Sequence, residues 1–327
     1  MKKLMTSVKI IFAMAFSILY SQTSFALTIK GDEMIDNKWA THYFGRFQLD
    51  LPVGSEIVSD YKLYNEKVEL VSKNGRSELD SMVEKKIEEL KKGIAYGTSS
   101  IYEKTIPLSN GSVLVLSKLE KLYTFHAYLL TSNNTLYRMM VKSISAKGID
   151  GAINKTRLIS ESIFFRRPQD APPKGAFALE AGYTTLGTTQ SLEGIYMGAQ
   201  ISIHPGTFVS LLTQRIVEHD DTLISRFETE SGGLVPGMSK ILSGTKTLRK
   251  RTRLVGGFKA EEIAVKTLVD GKRFYTFQIE YEGELKSNTH PFIDLRLGTH
   301  EVGSDFKSDE DALEFWDKVV DSLKPLS

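Results

Sequence analysis

Three prolines fall within six residues at the middle of the chain, at Pro168, Pro172 and Pro173. Proline fixes φ, lacks the N–H that a helix or a sheet ladder requires, and stiffens the segment that carries it. No regular element can run the length of Phe165-Arg166-Arg167-Pro168-Gln169-Asp170-Ala171-Pro172-Pro173-Lys174-Gly175. The chain must therefore organise itself on either side. This sets an N-terminal domain over 27–167, a proline-rich linker over 168–175 and a C-terminal domain over 176–327, with 1–26 set apart as an export signal.

The two sides repeat one order of elements. On the first, Phe47, Leu49 and Leu51 alternate with polar residues in a half-buried strand that ends at Pro52. A second strand spans Lys67 to Ser72. A helix follows, with Ser77 as N-cap, Asp80 three residues on, an apolar face of Leu79, Met82, Val83, Ile87 and Leu90, and Gly93 as its stop. Strands come next near 112–119, 123–131 and 135–142, with Asn133-Asn134 turning between the last two. A helix near 150–164 closes this side. On the second side strands are expected near 177–185 and 199–204, then a helix burying Phe208, Leu211, Leu212 and Ile216. Further strands lie near Arg253, over 261–269 and 272–281, and over 292–297. Asp270-Gly271 is a two-residue hairpin signal. The last helix is capped by Ser308, carries Asp309, Glu310 and Asp311 in its first turn, and buries Ala312, Leu313, Trp316, Val320 and Leu323. The expected fold is α+β: two related domains, each an antiparallel sheet packed with helices, produced by duplication. The second is longer, mostly between Asp220 and Lys246.

The N-terminus has the three parts of a secretory signal. Lys2, Lys3 and Lys9 supply positive charge, 10–20 is an apolar run, and Ser24-Phe25-Ala26 places small residues before a cut at Leu27. The run is too short to span about 30 Å of hydrocarbon. This predicts a periplasmic protein without stable membrane insertion. Of 42 basic residues three leave with the signal, so 39 face 40 acidic ones and the net charge falls from +2 to −1. That balance gives no reason to expect a nucleic-acid partner. With no cysteine in an oxidising compartment, stability must come from core burial.

No sequence pattern of catalysis or cofactor binding stands out. G-x-S-x-G, H-E-x-x-H, P-loop and dinucleotide-binding glycine patterns are all missing. His126 lies within an alternating strand, His204-Pro205 and His290-Pro291 read as turns, and Asp294 with Glu301 shows no feature that would shift acidity. The expectation is no catalytic residue, no metal, no cofactor and no enzymatic activity. A binding role remains. Leu234, Val235, Met238, Ile241 and Leu242 form an apolar segment among glycines and a proline, in the part that only the second side has. Arg249, Lys250 and Arg251 belong to a basic run, 246–253. It reads either as a patch that docks an acidic partner or approaches anionic lipid, or as a charged strand edge that prevents pairing.

Taken together, Gly45-Arg46-Phe47-Gln48-Leu49-Asp50-Leu51-Pro52, Leu254 to Glu262, His290 to Leu295 and the ending 308–323 resemble the two-domain immunity proteins of type VI secretion lipase effectors. The resemblance covers nearly all of the chain after the signal. It implies a periplasmic protein that binds and inhibits a phospholipase toxin as a one-to-one heterodimer, clamping it between two domains so that its lid cannot open to lipid. Where that family often carries a cysteine pair, this chain has Tyr43 and Ala178. The competing readings are a periplasmic lipid or small-molecule carrier, which needs an enclosed apolar cavity, and a hydrolase, which needs a buried Ser–His pair.

Overall fold

Period-two alternation carries most of the chain into strands. The computed structural model describes residues 38–92, 100–187, 192–232 and 245–326. The first side contains β1 (Trp39–Phe44), β2 (Phe47–Pro52), β3 (Glu56–Leu63), β4 (Glu66–Ser72), α1 (Arg76–Lys91), β5 (Ile101–Pro107), β6 (Val113–Leu119), β7 (Leu122–Leu130), β8 (Leu136–Ser145), α2 (Ile149–Ser162) and β9 (Ile163–Phe165). The second contains β10 (Phe177–Leu179), β11 (Gly182–Thr184), β12 (Gly194–Gln200), β13 (Thr207–Gln214), α3 (Leu223–Gly232), β14 (Thr245–Val255), β15 (Phe258–Val269), β16 (Lys272–Tyr281), β17 (Phe292–Thr299), α4 (Asp309–Ser322) and β18 (Lys324–Pro325).

Twelve strands make one antiparallel sheet in the order β14-β15-β16-β17-β13-β12-β3-β4-β8-β7-β6-β5. Counted outward from the middle, the order is β12, β13, β17, β16, β15, β14 on one side and β3, β4, β8, β7, β6, β5 on the other. Each side thus repeats the other strand for strand, with a helix after its second strand in chain order and another after its sixth. The α+β class expected from the sequence is what forms. The sides meet where β3 and β12 pair over seven positions, Glu56–Gln200 through Lys62–Gly194.

Two small sheets tie the sides together further. The β1–β2 hairpin is completed by β18, which follows α4, and the β10–β11 hairpin by β9, which follows α2. Each side's hairpin is closed by the other's last strand. Gly45, between β1 and β2, adds a bridge to Ala178, with the two residues exchanging N–H···O bonds of 3.1 and 2.7 Å. Its φ of +58° and the packing of Ile195 and Phe177 2.9 Å from where a Cβ would stand explain why glycine sits there.

The main core lies on one face of the large sheet, under α2, α4 and β1–β2. It includes Leu114, Phe125, Ala127, Met139, Tyr61, Ile195, Leu211, Leu295, Phe277 and Trp316. A smaller core on the opposite face packs Leu79, Val83 and Leu90 of α1 against Val115, Tyr128 and Leu136.

Several expectations need correction. Phe208, Leu211 and Leu212 are in a strand, β13, not on a helix. Their spacing fits either period, and pairing with β12 on one side and β17 on the other decides in favour of the strand. Ile216 makes only an isolated bridge to Leu285. The helix of this side is α3, which begins later. The N-cap of α1 is Gly75, with no side-chain capping bond, and Ser77 lies inside the first turn. The strand expected near 177–185 is the β10–β11 hairpin, and the one near 199–204 is β12, displaced toward Gly194. Strands β1, β3 and β5 were not foreseen. Gly256-Gly257 is the tight turn between β14 and β15, with φ of +57° and +93°, and a Cβ on Gly256 would stand 2.8 Å from the Leu323 carbonyl oxygen. Residues 1–26, expected to be an export signal, and Gly93 lie outside the described residues.

Candidate functional site

The face that carries α1 and α3 is only partly covered. Helix α1 packs on β5, β6 and β7, and α3 on β15. Between them β8, β4, β3, β12, β13 and β17 form a floor, about 25 Å wide at the usual strand spacing. Solvent-facing positions of such a sheet are normally polar. Here Val58 is 64% exposed, Met140 41% and Tyr196 38%. Gly194 and Gly198 flank Tyr196 in β12, so no neighbouring side chain on that strand screens it.

Four ion pairs form on or beside this floor. Lys67 pairs with Asp60 at 2.6 Å, Arg138 with Glu69 at 2.7 Å, Arg296 with Asp294 at 2.6 Å, and Arg226 of α3 with Glu280 at 2.7 Å. Burial pushes the Glu280 carboxyl up, and Arg226 opposes this. Glu261 accepts the Ile224 N–H at 2.7 Å at the start of α3, which fixes the helix on the sheet. Exposed apolar side chains set among neutralised pairs suit an uncharged or apolar protein surface.

The basic run lies in β14, an outer strand of the sheet. Arg249 donates to both Asp317 oxygens at 2.7 and 3.0 Å and to Glu262 at 3.0 Å. Arg251 donates to Glu262 at 2.6 Å, and Arg253 to Asp317 at 2.8 Å and to Asp321. Glu262 is fully buried and also accepts the Trp316 indole N–H at 2.9 Å. Burial raises the Asp317 carboxyl, but Arg249 and Arg253 outweigh it and hold the group below the usual carboxylate range. The arginines thus fasten α4 to the sheet. The sequence holds a signal for this: Asp317 and Asp321 are one helical turn apart, and Arg249, Arg251 and Arg253 share one strand face. Lys250 pairs with Glu228 at 2.6 Å with both side chains largely in solvent. Leu234, Val235, Met238, Ile241 and Leu242 lie outside the described residues.

Among the described residues no group of three or more His, Cys, Asp and Glu side chains could hold a metal ion. A Ser–His contact does occur: the Ser117 hydroxyl is 3.4 Å from His126 Nε2. Ser117 is fully buried. Burial, with Lys86 of α1 adding to it, pushes His126 down to about 4, so its ring is neutral at pH 7. A serine sealed in this way offers no approach to a substrate carbonyl, and the pair reads as a satisfied sheet contact. His204 bonds Asp305 at 3.0 Å and stacks on Phe306, while His290 sits in a turn against Phe258. Asp294 faces Glu280 across the β16–β17 ladder rather than Glu301.

Residues 171–325 match the family model of the Tle cognate immunity protein 4 C-terminal domain. The match takes in the C-terminal part of the chain. The likeness continues beyond it. The apo immunity protein TplEi of the T6SS from Pseudomonas aeruginosa is 28% identical with a TM-score of 0.78, over 89% of this chain and 99% of that one. A chain of the Tle4–Tli4 complex is 28% identical with a TM-score of 0.78, over 88% and 97%. TplEi complexed with "L" peptide gives 27% and 0.74, over 89% and 99%. Among curated proteins none matches. The resemblance to T6SS lipase-effector immunity proteins, read from short motifs, is therefore borne out by the family model and by three-dimensional likeness. No helix among the described residues is long and apolar enough to cross a membrane.

Proposed function

We propose that this chain is a periplasmic immunity protein that binds its cognate phospholipase toxin one to one and inhibits it. The observation that carries the reading is the likeness, over nearly the whole length of each partner, to TplEi and to a chain of the Tle4–Tli4 complex. The open floor between α1 and α3 is the surface offered for the toxin. A lipase must present apolar surface to a membrane, and a partner with an apolar, charge-neutral face can cover that surface and keep the lid from opening. The clamp is preformed. The two sides share a ladder and exchange hairpin-closing strands, so they grip as a fixed frame, and little conformational freedom is lost on binding.

The finer readings follow the same line. The two sides descend from one duplicated unit, a reading supported by their matching strand order. The boundaries stay at 27–167, 168–175 and 176–327, with 1–26 removed by cleavage after Ala26. The protein has no catalytic activity of its own. The apolar segment 234–242 and the solvent-facing parts of Lys250 and Arg251 extend the contact surface. The carrier reading has less support: a cavity between β3 and β4 measures about 100 Å³, against roughly 300–1,000 Å³ for sites that enclose small molecules.

The test is protection in cells. Export of the cognate phospholipase to the periplasm should stop growth, and co-export of this chain should restore it. Equal arrest with and without the chain would refute the proposal.

A further inference from the structure

We propose that the seam between β3 and β4 receives an extended segment of the toxin as an added strand, paired through main-chain hydrogen bonds. This rests on the toxin-binding reading above.

The hairpin β3–β4 is only partly closed. Its register comprises Tyr61–Val68, Lys62–Lys67 and Leu63–Glu66, beside the turn. From Asp60 back to Glu56, β3 has a partner only on its β12 side. Glu69, Leu70 and Ser72 of β4 have partners only on the β8 side, with a bulge at Val71. The matching hairpin of the other side, β12–β13, is paired throughout from Gly194–Gln214 to Gln200–Phe208. The fold therefore permits full closure, and the opening is particular to β3–β4. In an antiparallel strand alternate residues direct their N–H and C=O to each side. Half of the main-chain groups of 56–60 and 69–72 therefore point into the seam with no ladder partner.

A cavity of about 100 Å³ marks the head of this opening, lined by Ser59, Asp60, Tyr61, Lys67–Leu70, Tyr137 and Glu180. Buried Tyr61 and Tyr137 line its core side, and the Tyr137 hydroxyl donates to the Glu180 carbonyl at 2.7 Å. A strand entering from the floor would meet aromatic rings beneath, so its inward side chains must be small. At the mouth, the Lys67–Asp60 and Arg138–Glu69 pairs are already neutralised. The fitting occupant is an uncharged extended segment with small side chains on one face.

The outer edges of the sheet are protected against such pairing. Strand β5 carries a bulge between Tyr102 and Lys104 and ends at Pro107, and β14 is lined with lysine and arginine. The unprotected main chain is in the seam, at the centre of the floor. Strand addition takes affinity from the main chain and selectivity from alternate side-chain positions.

The experiment is hydrogen–deuterium exchange on the full chain, alone and with its cognate phospholipase, with inhibition measured on the same sample. In the free chain about half the amides of 56–60 and 69–72 should exchange far faster than those of 194–200. In the complex these same amides should slow at least tenfold. An inhibited complex with unchanged exchange there would overturn strand addition and leave the functional reading intact. Free-state protection equal to that of β12 would also overturn it. If no complex forms, both proposals fall.

Discussion

Arg46 and Glu193 form a buried ion pair between the two sides. Arg46 sits in the β1–β2 turn and Glu193 just before β12. The guanidinium meets the carboxylate with two bonds, Nε to Oε2 at 2.5 Å and Nη2 to Oε1 at 2.6 Å. The third nitrogen donates to the Gly175 carbonyl at 2.8 Å, at the end of the proline-rich segment. The side chains are only 9% and 4% exposed. Replacing Glu193 by Gln keeps the shape but leaves a buried cation without its counter-charge. Removing one member of a buried pair costs about 3–5 kcal/mol. With a urea m-value of about 3 kcal/mol/M, the unfolding midpoint should fall by roughly 1–1.7 M. The double variant Arg46→Met/Glu193→Leu should recover most of that loss, because it removes the unpaired charge and keeps apolar volume. Urea unfolding followed by tryptophan fluorescence reads both. A Glu193→Gln midpoint within roughly 0.3 M of the parent would show that this pair does not hold the halves together.

The other expected outcomes concern pH, α4 and the floor. Burial holds the folded-state His126 pKa down at about 4, against the ordinary 6.5 of an unfolded chain, so stability is complete above pH 6.5 and is lost as pH falls toward 4. At about 1.4 kcal/mol per unit the loss approaches 3 kcal/mol; urea midpoints at pH 7 and pH 4 should show it in the parent and not in His126→Gln. Arg249→Ala removes one charged bond from the buried Glu262, which keeps Arg251 and Trp316, and two from Asp317, which keeps Arg253, and should lower stability by about 1.5–3 kcal/mol in chemical denaturation. Lys250→Ala breaks an exposed pair and should change stability by less than about 1 kcal/mol; equal losses for the two would contradict the roles assigned to them. Val58→Glu/Tyr196→Glu places charge on the open floor and should weaken toxin binding at least tenfold in calorimetry with an unchanged melting temperature. Unchanged affinity would remove the floor from the interface.

Elements fixed by local chemistry were legible in the sequence. The Ser308 side chain accepts the Asp311 N–H as an N-cap should. Asp270 and Gly271 take φ of +50° and +75° in the expected hairpin. What escaped depends on pairing between distant segments. Phe208, Leu211 and Leu212 could have faced one side of a helix, and only their neighbours in space make β13 a strand. The crossing of β9 and β18 to the opposite side's hairpin has no local signature, because three and two residues carry no period. Arg249 and Arg251 were legible as charge but not as the fastening of α4, since Glu262 and Asp317 lie far along the chain. The floor was missed for a similar reason: Val58 and Tyr196 become neighbours only once β3 pairs with β12.

Inhibition titrated against stoichiometry is the decisive measurement. The cognate phospholipase is presented with phospholipid vesicles, and lipid hydrolysis is followed as the purified chain, freed of residues 1–26, is added. Hydrolysis should fall linearly and stop at one equivalent, as a tight one-to-one complex requires. Hydrolysis that continues undiminished at several equivalents would contradict the assignment of this chain as an inhibitor of that enzyme.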